Sequence, residues 1–509
     1  MSAIDEPNLC KLLKLYHLQV LRITKIDEED KVKSIDIGYL PCVQELYLPK
    51  NTLSRIPHIG RLTTLRELNG FSVRKKDGHR ITELQDLGKL RKIIVLDVQN
   101  VSNFNEAYAV RLDNKTALKV LSLGWSDDNA RDDVQILTKL VPHRSLKNLI
   151  ISGYIGIKPP IWMEPSYLTN LVYLKLDGCV QWHELPLLGT LRSLKHVFLV
   201  HLTKLKCIAS LSNGSGGLPP HLVTFDVKYC PDLSELPVLP FSLKFLGVEA
   251  VGISSLPTTM SDLERLIEPR LSVLQIESCE FLASLDGSFL QEEHYNALSV
   301  LKLFRCHKLS SLPDAAHFQR MCVLESVEIV DCDILASLGG LVALSHLKLL
   351  KIERCGNLLN TSSSRLPQSQ DESLSLELET LAIDDHLLLV LTPLRNLCCT
   401  RRLIISGESI TNLLPEDWLL QNGLHLEHIQ ISNAEHLQSL PLKMHDLHAL
   451  RSLLLHKAPL LQSLPLMPPQ LWALIITGCC TELNEQCLAG GSEWAKISHI
   501  HRCNISNGR

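Results

Sequence analysis

Leu271–Cys279 reads LSVLQIESC, and Leu298–Cys306 reads LSVLKLFRC. Both fit L-x-x-L-x-L-x-x-C, with an aliphatic residue allowed at each L. Five more stretches fit the same template: Leu171–Cys179 (LVYLKLDGC), Leu222–Cys230 (LVTFDVKYC, with Phe225 at the second L), Leu324–Cys332 (LESVEIVDC), Leu347–Cys355 (LKLLKIERC) and Leu471–Cys479 (LWALIITGC). Looser copies begin at Leu18, Val43, Leu65, Ile93, Leu118, Leu146, Leu194, Leu243, Leu378, Thr400, Leu426 and Leu450. Together they make about 19 units with a mean spacing near 25 residues, a period that marks stacked structural repeats.

The physics of the unit follows from its spacing. The segment x-L-x-L-x alternates with period two, so it reads as a short strand with one buried face. A single unit cannot bury its own leucines. Stacked units share one aliphatic core and line up their strands as a parallel sheet. The expected fold is therefore an α/β leucine-rich-repeat solenoid, a curved horseshoe. Its concave face is the sheet, and its convex face holds irregular loops, 3-10 turns and short helices. After many strands comes an L-P signature, as in His183–Pro186 (HELP), Ser234–Pro237 (SELP), Ser254–Pro257 (SSLP), Ser310–Pro313 (SSLP), Gln438–Pro441 (QSLP) and Gln462–Pro465 (QSLP). Its Leu should turn into the core while Pro ends regular hydrogen bonding.

Composition agrees. Leucine accounts for 102 of 509 residues, while the aromatics make up 5%. A hydrophobic share of 45% against 21% charged excludes a disordered chain. A formal charge of −4 removes the general electrostatic case for nucleic-acid or membrane-surface binding. The first residues, MSAIDEPNLC, lack a basic start followed by an apolar run, so no secretory signal is expected. The five N-glycosylation sequons, at Asn100, Asn114, Asn213, Asn360 and Asn504, then read as chance tripeptides, and the expected compartment is the cytoplasm. The organisation expected is repeats over 1–355, a loop interrupting the stack over 356–377, repeats again over 378–483 and a C-terminal cap over 484–509. Ser72–Arg80 should form an exposed basic loop, Asp127–Asp133 an acidic one and Ser212–Pro220 a flexible one.

The sequence carries no catalytic motif. Gly88–Lys89 is followed by Leu90 and lacks the upstream Gly of a phosphate-binding loop, and His183–Glu184 belongs to the L-P turn. Cys179, Cys230, Cys279, Cys306, Cys332, Cys355 and Cys479 share the ninth unit position, one per turn. That pattern describes a structural ladder of small buried thiols, not a metal cluster. Cys479, Cys480, Cys487, His499, His501 and Cys503 crowd the end of the chain without zinc-finger spacing. No cofactor or metal is expected. What remains is surface. The mid-strand x positions include Ser122, Ile150, Lys175, Phe198, Asp226, Gly247, Gln275, Lys302, Glu328 and Lys351. Adjacent positions add Trp125, Tyr173, Tyr229, Phe304, Arg305, Arg354 and Trp472. Aromatic and Arg side chains dominate binding energy at protein interfaces. The expected partner surface is Trp125, Tyr173, Lys175, Phe198, Tyr229, Lys302, Phe304, Arg305, Lys351 and Arg354.

Longer blocks carry a family resemblance. Ile59–Leu90 (IGRLTTLRELNGFSVRKKDGHRITELQDLGKL), Leu96–Val101 (LDVQNV), Glu106–Trp125 (EAYAVRLDNKTALKVLSLGW) and Leu140–Trp162 (LVPHRSLKNLIISGYIGIKPPIW) follow one another. Cys487–Ile500 (CLAGGSEWAKISHI) carries W-x-K-I-x-H-I at Trp494, Lys496, Ile497, His499 and Ile500. This order resembles the leucine-rich-repeat region of plant intracellular nucleotide-binding immune receptors of the coiled-coil class, particularly those of grasses. The resemblance implies a non-catalytic sensor of a pathogen effector or guarded host protein, with a nucleotide-binding receptor module as a further partner. Such receptors carry a coiled coil and an ATPase module before the repeats, whereas Leu9–Leu21 (LCKLLKLYHLQVL) resembles an internal turn. Nucleotide switching is therefore not expected of this chain, and an uncapped first turn predicts poor solubility alone. The other class weighed, a leucine-rich adaptor for ubiquitin transfer, would need an F-box-like helical segment near one end.

Overall fold

The computed structural model describes residues 15, 17–22, 40–47, 56–126, 133–164, 166–186, 188–208, 217–257, 271–285, 296–344, 346–361, 378–392, 394–407 and 414–506. Most of the first turn, the acidic stretch from Asp127, the Gly-rich stretch after Ser212 and most of the linker-like stretch after Asn360 lie outside these residues. The chain divides into two compact units. One comprises Met1–Gly252 with Pro257–Asp262, the other Ile253–Leu256 with Leu263–Arg509.

Among the described residues the first unit holds ten strands: β1 (Val20–Arg22), β2 (Glu45–Tyr47), β3 (Glu67–Ser72), β4 (Lys92–Leu96), β5 (Val120–Gly124), β6 (Asn148–Ser152), β7 (Tyr173–Asp177), β8 (His196–Val200), β9 (Thr224–Cys230) and β10 (Phe245–Val251). Each pairs in parallel with the next in sequence. The second unit holds β11 (Val273–Glu277), β12 (Val300–Phe304), β13 (Ser326–Val330), β14 (Leu349–Glu353), β15 (Thr380–Ile383), β16 (Arg402–Ile405), β17 (His428–Ile431), β18 (Ser452–His456), β19 (Ala473–Thr477) and β20 (Arg502–Ser506), again paired in parallel and in sequence. This is the leucine-rich-repeat fold.

Eighteen of the 19 expected units have their strand where the template places it, two residues after the first L. The exception is β4, whose first L is Leu90 and not Ile93. A register shift between Asn69 and Phe71 in β3 accompanies it. The twentieth strand, β20, lies inside the stretch expected to be only a cap. The interruption at 356–377 does not break the sheet, because Leu349 pairs with Thr380 across it. Short helices at Phe104–Ala109, Asp133–Lys139, Ala315–Arg320 and Glu416–Gln421 occupy the connections, as do many 3-10 turns. Two of these helices are capped by acceptor side chains: Asn103 takes the Asn105 and Glu106 amides at 3.0 and 3.1 Å, and Asp314 takes that of His317 at 3.1 Å.

One strand after another shows the same burial alternation, with both leucines inside and the x residues half-buried. The Leu of every L-P signature is buried too: Leu185, Leu236, Leu256, Leu312, Leu440 and Leu464. The Ser72–Arg80 loop exposes Arg74, Lys75, Lys76 and Asp77 but buries Ser72 and His79 at its base.

The eighth unit position solves the exit from the strand. Its backbone is left-handed at His201, Tyr229, Ala250, Ser278, Arg305, Asp331, Arg354, Asn433 and Lys457, and Gly takes the position at Gly153, Gly178 and Gly478. Such a conformation costs a non-glycine residue about 1 kcal/mol. The return is an added rung. The position-eight amide donates to the position-seven carbonyl of the next turn, as in Ser278 to Phe304 at 2.9 Å, Arg305 to Val330 at 2.8 Å and Asp331 to Glu353 at 3.0 Å.

The ninth position then turns inward. All seven ladder cysteines are buried. The thiols of Cys230, Cys279, Cys306, Cys332 and Cys355 donate to the position-seven carbonyl of their own turn, at 3.4 to 3.7 Å. Cys306, Cys332 and Cys355 also reach the preceding turn's carbonyls. Cys fits because it is small, largely apolar and a weak donor. Burial pushes the Cys179 thiol up to about 12 and Cys230 up to about 11. The hydrogen bond shared with Cys332, and then burial, push the Cys306 and Cys355 thiols up.

At the end of the chain the W-x-K-I-x-H-I residues acquire roles. Glu493 and Lys496 pair at 2.8 Å. Glu493 accepts the Leu464 amide at 2.8 Å, and Lys496 donates to the Leu464 carbonyl at 2.7 Å. The pair thus clamps the last L-P loop, His499 reaches the Pro468 carbonyl at 3.0 Å, and Ile497 and Ile500 close the core.

Two outcomes are expected. Iodoacetamide at pH 8 should label exposed Cys322 while Cys179 and Cys230 stay unmodified until urea unfolds the chain; equal rates by peptide mass spectrometry would count against the buried ladder. The second concerns Lys115, which is 2% exposed and donates to the carbonyls of Gln85 and Leu87 at 3.1 and 3.2 Å. Burial pushes its ammonium down from the usual 10.5 to about 8. Between those values the unfolded chain holds the proton that the folded chain releases, so stability must rise with pH there. Urea titrations should show the wild type gaining on Lys115→Met between pH 8 and 10.5. A pH-independent difference would refute the buried ammonium.

Candidate recognition surface

The strand registers align the mid-strand x residues into columns. In the first unit Ser122, Ile150, Lys175, Phe198, Asp226 and Gly247 stand side by side. In the second, Gln275, Lys302, Glu328, Lys351, Ala382, Ile404, Gln430, Leu454 and Ile475 do the same. Period-two alternation puts their side chains on the face opposite the aliphatic core.

Across β7 to β10 the face carries a connected aromatic and charged cluster. Tyr173 and Phe198 rings lie 5.2 Å apart. Lys175 pairs with Asp177 at 3.1 Å, and Asp177 meets the His201 ring at 3.2 Å. His201 stacks on Tyr229 at 4.6 Å with nearly parallel planes. The Tyr229 hydroxyl donates to Glu249 at 2.5 Å, and Glu249 also pairs with Lys228 at 3.0 Å. Beside them, burial pushes the Asp226 carboxyl up. Gly247 makes room for that carboxylate, since a Cβ there would come 2.4 Å from Asp226 Oδ1.

The second unit carries a different arrangement. Every cation expected on its face holds a carboxylate. Lys302 pairs with Glu328 at 3.0 Å and Lys351 with Glu353 at 3.1 Å. Arg305 binds Glu277, and Arg354 forks onto both oxygens of Asp331. The Arg354 hydrogen bond holds the Asp331 carboxyl below its usual range. Phe304 lies half-buried among these pairs.

Trp125 does not belong to this surface. It is only 7% exposed, and its ring packs edge-on against Tyr154 at 5.1 Å, which in turn meets Trp182 at 6.0 Å. Trp125 stands at the eighth unit position, as do Tyr229, Arg305 and Arg354, whose backbones are left-handed. At Trp125 the left-handed turn is absent and the ring folds inward. Trp472 is exposed but precedes β19, so it sits on the leading edge of the sheet and not on its face.

The carboxylates that hold these groups, Asp177, Glu249, Glu277, Asp331 and Glu353, were not singled out from the sequence. Lys175–Asp177 and Lys351–Glu353 were findable, because residues two apart share a strand face. The pairs between turns required the register. Among the described residues no three His, Cys, Asp or Glu side chains are grouped to hold a metal ion. A cavity of about 760 Å³ lies along the leading edge of the second unit, lined by residues including Glu325, Lys348, Glu379, Arg401 and Glu427.

Repeats, registers and surface describe a leucine-rich-repeat protein. Residues 81–202 match the R13L1/DRL21 LRRs family. The chain is 29% identical over 276 residues to putative disease resistance protein RGA1 of Solanum bulbocastanum, covering 49% of this chain and 27% of that one. It is 28% identical over 281 residues to disease resistance protein RGA2 of the same plant, covering 50% and 27%. It is 25% identical over 312 residues to putative disease resistance RPP13-like protein 1 of Arabidopsis thaliana, covering 58% and 27%. The chain spans about a quarter of the length of these curated relatives. Among solved structures, a leucine-rich-repeat protein of Leptospira interrogans aligns with TM-score 0.46 and 18% identity, covering 91% of this chain and 96% of that one. The repeats of this chain are thus related to those of plant disease resistance proteins. Among the described residues no helix is long and apolar enough to cross a membrane.

Exposed ion pairs and half-buried rings contribute little to folding. Phe198→Ala, Phe304→Ala and Arg354→Ala should therefore each cost about 1 kcal/mol or less in urea unfolding. A loss of several kcal/mol would mean these side chains belong to the core.

Proposed function

We propose that this chain is a non-catalytic recognition module of plant innate immunity, acting in the cytoplasm through the solvent face of its sheet. The observation that carries the reading is the relation of its repeats to disease resistance proteins. It is supported by a face on which Tyr173, Phe198 and Tyr229 sit among charges already fixed by neighbours. Aromatic side chains with two rotatable bonds give contact area at low entropy cost, and pre-paired charges give polarity without loose ends. The partner is a protein: a pathogen effector, or a host protein that an effector modifies. A nucleotide-binding receptor module of the coiled-coil class found in grasses is the second partner the reading implies.

Proximity labelling in infected and uninfected plant tissue tests this, comparing wild type with the Phe198→Ala/Phe304→Ala/Arg305→Ala variant. Infection-dependent partners should appear with the wild type and be lost with the variant. An unchanged partner set would remove the sheet face as the recognition surface.

A further inference from the structure

The residue just before each strand forms a column of its own along the leading edge of the sheet. Successive members are tied by backbone hydrogen bonds: Arg91 to Arg66 at 2.7 Å, Lys119 to Arg91 at 2.8 Å and Lys147 to Lys119 at 2.9 Å. Val172 follows, then Lys195, then Val223, by the same bond. Five of these seven residues are basic, and four stand on consecutive turns. Arg66, Arg91, Lys147 and Lys195 are exposed. None of the five forms an ion pair with a described residue; the Lys119 ammonium reaches only the Ser145 carbonyl, at 3.4 Å. Glu67, the acid nearest in sequence to Arg66, accepts the Tyr47 hydroxyl at 2.8 Å.

The second unit provides the internal control. At the same repeat position, from β13 to β18, it reads Glu325, Lys348, Glu379, Arg401, Glu427 and Arg451, with signs alternating turn by turn. Lys348 pairs with Glu325 at 2.8 Å and Arg401 with Glu427 at 3.7 Å. Like charges on neighbouring strands oppose pairing, and alternating charges favour it. The fold therefore does not demand a basic column at this position. One unit neutralises the edge, and the other leaves it positive at a cost to its own pairing.

We propose that the leading edge of the first unit, from Arg66 to Lys195, is a docking surface for an acidic segment of a protein. It is separate from the sheet face. Strands about 4.8 Å apart put β3 and β8 about 24 Å apart, the reach of about seven extended residues. Charge complementarity fixes the sign of the occupant. A protein fits better than single-stranded nucleic acid, because the column has no aromatic side chain on which bases could stack. A long polyanion would also run on over a chain whose formal charge is −4.

The test is fluorescence anisotropy of the full chain with labelled poly-L-glutamate of about 30 residues, at about 50 and 300 mM NaCl. The expected affinity falls about tenfold or more with salt. It should fall at least about tenfold again at low salt for Arg91→Glu/Lys119→Glu/Lys147→Glu, with an intermediate loss for the Gln versions. Lys348→Glu/Arg401→Glu in the second unit should stay within about twofold of wild type. Circular dichroism checks that each variant is folded, and the Gln set serves if the Glu set is not. Failure of the wild type to bind, equal loss in the second-unit control, or unchanged binding by both triple variants would overturn the proposal. Tighter binding of an oligothymidine of matched charge would overturn it as well, and would make nucleic acid the occupant.

Discussion

The whole structure depends on the fact that no turn of this chain can bury its own leucines. Each contributes aliphatic side chains from its strand, several add a Leu from an L-P loop, and each needs the next turn to cover them. Neighbouring turns must then sit one strand spacing apart, with the same residues opposite one another. The registers follow that demand along the second unit: Leu274 faces Leu301, Leu301 faces Val327, and Val327 faces Leu350. From this constraint follow the backbone rung at the eighth position and the thiol at the ninth. The position-seven carbonyl must be satisfied at the point where the chain leaves the sheet, and it accepts the amide of the neighbouring turn and the thiol of its own.

The same constraint releases the other positions. Residues on the solvent face carry no packing duty, so Lys175, Phe198, Lys302 and Lys351 can differ from turn to turn without affecting the stack. Their chemistry is nevertheless organised. In the first unit Tyr229 is held by a stack on one side and a carboxylate on the other. In the second, Arg305 and Arg354 are held by Glu277 and Asp331. A partner meets side chains whose orientation is already set, and loses less entropy on ordering them. The leading edge follows another logic, since its charges alternate in one unit and repeat in the other.

Most of the fold was legible in the sequence, because period and alternation are properties of the chain itself. The 19 units, the buried Leu of the L-P loops and the inward cysteines follow from counting. Ile93 misled because Leu90, Ile93 and Val95 all fit an aliphatic template, and only pairing with β3 and β5 selects Leu90 as the first position. β20 escaped because RCNIS lacks leucines; it is a strand only because β19 presents a free edge beside it. Trp125 neighbours the mid-strand column just as Tyr229 does, and so reads as a surface residue. Nothing in LSLGW shows that Tyr154 and Trp182 wait on the inner side.

By itself the sequence determined the repeat, the strand positions, the aliphatic core and the residue types of the exposed columns. Each of these depends on spacing along one chain, and spacing is local. Tertiary structure alone decided which charges meet across turns, which aromatic rings stack, and which side of the coil the eighth residue faces. Those outcomes depend on atoms about 25 residues apart being brought to a strand spacing, and a single turn carries no record of its neighbour. The clamp of Glu493 and Lys496 on Leu464 makes the point in one place: the motif is written at the end of the chain, and its purpose is held by a loop one turn earlier.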